Sequence, residues 1–162
     1  MKEKELVGKS VVSLADGARV GAVKDLVFHG LTLGALVVRG ERGEGLLPFD
    51  CAEAIGPDAI TIESYTLVDW NKGPALGPES TDLNQLRKLK VVTADGRDIG
   101  QFHDLTMDST GRVESISVKT EGVFGIGGHE TIIPASGVRA IGPNLITVES
   151  SPTVEENLTT AK

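Results

Sequence analysis

Ala15-Asp16-Gly17, followed four residues later by Gly21, returns as Ala94-Asp95-Gly96 and Gly100, 79 residues on (16 to 95). Val12, Asp25 and Leu26 recur at the same shift as Val91, Asp104 and Leu105. Further along, Ala54-Ile55-Gly56-Pro57 and Ile60-Thr61-Ile62-Glu63-Ser64 return as Ala140-Ile141-Gly142-Pro143 and Ile146-Thr147-Val148-Glu149-Ser150, now 86 residues on (56 to 142). Matches kept at both ends of a stretch this long mean two copies of one small fold. The reading is repeat 1 over 1–66, a linker over 67–84, repeat 2 over 85–150 and a polar, loosely ordered tail over 151–162. Units of this size bury only about 60% of their unfolded surface, so each needs something to pack against.

Each copy reads as short strands between turns, which makes the chain all-β. Ser10–Leu14 and Val91–Thr93 are β-branched runs ending at Ala-Asp-Gly, where Asp bonds locally and Gly tolerates positive φ, so each makes a hairpin. The next strands cover Arg19–Phe28 and Asp98–Met107. Their apolar parity breaks: Val23, Leu26 and Phe28 cannot share one face of a regular strand, nor can Phe102, Leu105 and Met107. A bulge near Lys24-Asp25 and near His103-Asp104 repairs both. Third strands at Ala35–Arg39 and Ser115–Lys119 turn Leu36 and Val38, or Ile116 and Val118, to the core. Fourth strands end at Pro48 and Pro134, where a missing N–H is tolerated at an edge. Last strands are Ala59–Glu63 and Leu145–Glu149, after Gly-Pro turns. In the linker, Ser80-Thr81-Asp82 reads as a helix cap before Leu83, Leu86 and Leu89, giving at most two helical turns.

The Asp-Gly hairpin, the Ile-Gly turn and the run Gly122-Val123-Phe124-Gly125-Ile126-Gly127-Gly128 before Ile132-Ile133-Pro134 resemble the PRC-barrel family. The first copy departs from this pattern, because Gly40-Glu41-Arg42-Gly43-Glu44-Gly45 is shorter and lacks Phe and Ile. The resemblance implies two tandem small β-barrels, related by approximate twofold symmetry. Such barrels are known from the cytoplasmic part of a photosynthetic reaction-centre subunit and from the C-terminal domain of a ribosome-maturation factor. It implies a binding and assembly module, with no catalytic residue to carry over.

Composition narrows the function classes. The 162 residues carry a net charge of −7 with no basic cluster, which disfavours direct nucleic-acid binding. Cys51 is the single cysteine, so no internal disulfide or cysteine metal site forms. It corresponds to Gly137 and has no basic neighbour to activate a thiolate. The start of the chain lacks a signal-peptide pattern and no window has the apolar length of a membrane span; the expected location is the cytoplasm.

The Gly-rich run 122–128 has P-loop glycine spacing at Gly122 and Gly127, but Gly128-His129 stands where Lys and Ser or Thr are required. As a dinucleotide fingerprint it has Glu130 in the third glycine position and a strand after it, so it reads as a hairpin loop. His29, His103 and His129 are not at equivalent repeat positions and lack metal-ligand spacing. His129-Glu130 is the one pair suited to an ion.

Asp25 and Asp104 do recur, either as a catalytic dyad or as bulge residues bonding unpaired backbone N–H groups; the bulge role fits both. Trp70 is a linker clamp or a binding anchor. No cofactor, metal or catalytic set is assigned. The expected function is a non-enzymatic protein-binding module, and a homodimer is the first oligomer to expect. Ala35, Val37, Trp70, Phe124 and Ile126 are its interface candidates. The alternatives are a small-ligand or metal-binding protein, an enzyme using Asp25 and Asp104, and an accessory factor in ribosome or RNA metabolism.

Overall fold

The computed structural model describes residues 1–71, 80–120 and 128–150, with the backbone of 155–156. The chain divides into two units, Met1–Leu83 and Asn84–Lys162. Both are built from β-sheet, and a single turn of α-helix is the longest helical element described.

In the first unit the strands are β1 (Ser10–Ser13), β2 (Arg19–His29), β3 (Thr32–Gly40), β4 (Gly43–Pro48), β5 (Ala52–Ile55), β6 (Ala59–Ile62) and β7 (Ser80–Asp82). They lie in the order β4-β3-β2-β1-β6-β5, with β7 pairing to the end of β2. The pairs are antiparallel except β1 and β6, which run parallel. The one-turn helix α1 (Leu83–Leu86) follows.

The second unit contains β8 (Lys90–Thr93), β9 (Asp98–Met107), β10 (Val113–Thr120), β11 (His129–Pro134), β12 (Val138–Ile141), β13 (Leu145–Val148) and β14 (Glu155–Glu156). Their order is β12-β13-β8-β9-β10-β11-β14, in a sheet that curls into a half-barrel. Apart from β7 and β14, it repeats the order of the first sheet, including a parallel pair, β8 with β13.

The parity breaks resolve as expected. Val23 faces Val38 and Asp25 faces Val37, leaving Lys24 as the extra residue. Phe102 faces Val118 and Asp104 faces Ser117, leaving His103 extra. These bulges bring Val23, Leu26 and Phe28 to one buried face, as they do Phe102, Leu105 and Met107. Three more bulges occur in each unit, at Val20, Gly34 and Glu53 and at the corresponding Ile99, Glu114 and Arg139. Each adds twist, and together they curl strands that would otherwise lie flat.

Leu36, Val38, Ile116 and Val118 are 0–1% exposed, each contributing about 1.5–3 kcal/mol by leaving water. The hairpins form as read: the Ala18 N–H donates to Asp16 Oδ1 (3.1 Å), and Gly17 and Gly96 have φ of 70° and 90°.

Two polar segments, read as a helix cap and a loose tail, form strands instead. Ser80–Asp82 is a strand, because the outer edge of β2 at Val27–His29 offers open backbone groups that a polar segment can pair with. The helix after it is one turn long, and Leu83, Leu86 and Leu89 are all buried. The tail contributes β14, which pairs with β11 at Thr131 and Ile132. No helix among the described residues is long and apolar enough to cross a membrane.

Candidate functional site

The two equivalent bulges each bring charged side chains together. Adjacent strand residues normally point to opposite faces, but a bulge turns two consecutive side chains toward one side. Lys24 and Asp25 are such a pair on β2, and His103 and Asp104 are such a pair on β9.

In the first unit, Asp25 is 8% exposed and its Oδ1 accepts the Leu26 N–H at 2.8 Å. The carboxylate thus satisfies a backbone donor displaced from the ladder. Lys24 Nζ reaches across to Glu44 Oε2 at 2.9 Å, and Arg39 Nη2 joins it at 2.7 Å. The bond from Lys24 holds the Glu44 carboxyl below its usual range against an opposing effect of burial, and the bond from Arg39 adds a smaller lowering. Asp25→Ala removes the acceptor from a buried N–H and is expected to cost about 1–2 kcal/mol. Chemical denaturation should show this as a lower midpoint with an unchanged slope.

In the second unit, His103, Asp104 and Glu130 each offer a ligand atom within 4.8 Å of the others. His103 Nε2 lies 4.0 Å from Asp104 Oδ2, and the Ser117 hydroxyl donates to Glu130 Oε2. The sequence suggested His129 with Glu130. Instead, strand alternation leaves His129 exposed and directs Glu130 toward His103 and Asp104. In the first unit, His29 Nδ1 lies 3.2 Å from Ser80 Oγ.

The interface candidates fall in different settings. Val37 is 3% exposed within the single chain and Ala35 is half-buried, so covering Val37 requires no second copy. Phe124 and Ile126 lie outside the described residues. Trp70 is half-buried beside Gly45, where an added Cβ would come within 2.9 Å of the indole. Asp69 pairs with Leu46 of β4, so the start of the linker is held on the first sheet. Cys51 is a free, half-buried thiol ending the 3-10 turn after Pro48.

A surface that the sequence reading missed lies on the first unit. The large apolar side chains left exposed among the described residues are Val7, Leu14, Tyr65 and Leu67, and Leu14 is 52% exposed. Leu14 N–H donates to Ile62 O (2.8 Å) and Ala15 N–H to Glu63 O (2.9 Å), which sets the hairpin beside the segment entering Tyr65–Leu67. The Arg42 guanidinium stacks 4.6 Å from the Tyr65 ring centre. A shallow cleft between Asp16, Arg19, Arg42, Tyr65 and Trp70 adjoins this surface.

No curated protein matches the chain. A family model does: residues 78–154, which span β8 to β13 and their bulges, match the PRC-barrel domain.

Proposed function

We propose that the chain is a non-enzymatic protein-binding and assembly module made of two PRC-barrels, the first lying outside the residues the family model matches. Support for a second barrel comes from the shared strand order, the parallel closing pair and the four bulges at corresponding places. The reading places the protein in the cytoplasm with another protein as its partner, and a second copy of the chain is the first partner to test.

The observation that carries the binding role is the exposed surface at Leu14, Tyr65 and Leu67, with Arg42 over the tyrosine ring. Tyrosine and arginine are the side chains that most often anchor protein interfaces. Light scattering of the full chain tests it, with wild type beside a Tyr65→Glu, Leu67→Glu double variant. The expected result is a dimer that becomes monomeric in the variant while both give the same melting curve. A wild type that is monomeric at every concentration and captures no protein from native lysate would overturn the reading.

A further inference from the structure

We propose that His103, Asp104 and Glu130 form a divalent-cation site of the zinc type in the second unit. The first unit shows what the same positions do without one. Lys24 corresponds to His103, Asp25 to Asp104 and Glu44 to Glu130, each pair occupying the same place in its sheet register. Lys24 and Arg39 together neutralise Glu44 in the first unit.

In the second unit the lysine has become a histidine. Lys119, the counterpart of Arg39, stands opposite Glu130 in the register, yet among the described residues it forms no ion pair with it. Among the described residues, two carboxylates therefore sit together without a lysine or arginine ion pair. Asp104 is 6% exposed, and its Oδ2 lies 4.0 Å from His103 Nε2. A buried carboxylate in this position gains most from a cation placed among the three groups.

The donor set selects the kind of cation. One imidazole nitrogen with two carboxylate oxygens suits zinc and its first-row neighbours, whereas calcium and magnesium favour oxygen donors alone. Two ligands about 2.1 Å from one ion lie at most about 4.2 Å apart. Atoms spread over as much as 4.8 Å thus close by more than half an ångström. His103, whose side chain is 41% exposed, has the freedom to do so and leaves room for water to complete the shell. Ser117 is 3% exposed and holds Glu130 by its hydroxyl, the kind of outer bond that orients a ligating carboxylate. The first unit has Val37 in its place and cannot make this bond.

The test adds zinc chloride to the full chain. Equilibrium dialysis should give one zinc per chain for wild type and none for His103→Lys, which installs the first unit's own solution and preserves the fold. Glu130→Gln keeps a partner for Ser117 and should also lose the zinc. Imidazole nitrogen resonances of the wild type provide a reading independent of any variant: of the three histidines, His103 should shift on zinc addition while His29 and His129 stay in place. A wild type that takes up no zinc, a folded His103→Lys variant that still binds one, or a shift at His29 or His129 instead would each overturn the assignment.

Discussion

Gly21→Ala and Gly100→Ala are each expected to destabilise the protein by roughly 3 kcal/mol or more, because in both the added carbon meets backbone. A Cβ on Gly21 would stand 2.4 Å from the Arg39 carbonyl oxygen and 2.8 Å from its carbon. On Gly100 it would stand 2.4 Å from the Lys119 carbonyl oxygen, and φ there is +133°, a conformation that disfavours any side chain. Relief requires moving β3 or β10 away, which breaks the pairing that seats the core. Thermal melts followed by circular dichroism should fall by more than about 12 °C. Gly142→Ala is the control, since its Cβ would approach nothing nearer than 3.5 Å. A drop for Gly142→Ala equal to the other two would show that close backbone approach is not the cause.

Val37→Asp is expected to cost about 3–5 kcal/mol at neutral pH, because a carboxyl at this position must either stay charged in a dry site or bind a proton. Val37 is 3% exposed and its partner in the register is Asp25, so a like charge stands beside the new group. Burial and Asp25 both raise the folded-state pKa of the introduced carboxyl above its unfolded value. The folded state then holds a proton that the unfolded state releases, so the penalty grows as pH rises through that interval. It should shrink between pH 7 and pH 4, which denaturation at several pH values would reveal. Val37→Ser, the residue found at the corresponding position of the second unit, should cost only about 1–2 kcal/mol. Equal losses for the two variants at every pH would remove charge burial as the explanation.

The sequence exposes some of this architecture and conceals the rest for physical reasons. Broken parity at Val23, Leu26 and Phe28 is visible because a bulge leaves its mark in hydrophobic spacing. The strand β5 is hidden because Glu53 and Ala54 are exposed and neither alanine is large, so no alternation marks it. Its counterpart β12 is hidden in the same way by the exposed Arg139 and Ala140. Ser80–Asp82 was misleading because serine, threonine and aspartate suit a helix cap as well as a polar strand at an edge, and only the open end of β2 decides between them.

The polar cluster of the second unit was half legible. His103 and Asp104 are neighbours in sequence, but Glu130 joins them only through β10, whose register no local pattern specifies. A usable signal was present in the replacement of Lys24 by His103 between otherwise similar bulges. The Leu14, Tyr65 and Leu67 surface gave no signal, since single apolar residues in turns are common and only the fold shows that these remain uncovered.

The parallel pairs β1–β6 and β8–β13 also govern how the protein is made. Ser10 pairs with Ala59, and Lys90 with Leu145, so the first strand of each unit waits for nearly the last. Contacts this distant along the chain carry a loop-closure cost before they return any stability, which places such folds among the slower small domains. During synthesis, the hairpin β1–β2 and the strands after it can form early, but β1 keeps one open edge until β6 has emerged. Val11, which lies in register with Ile60, acquires its last neighbour only then. Closure of the first sheet through β6 requires nothing from the second half, so its strands can pair in the order in which they leave the ribosome.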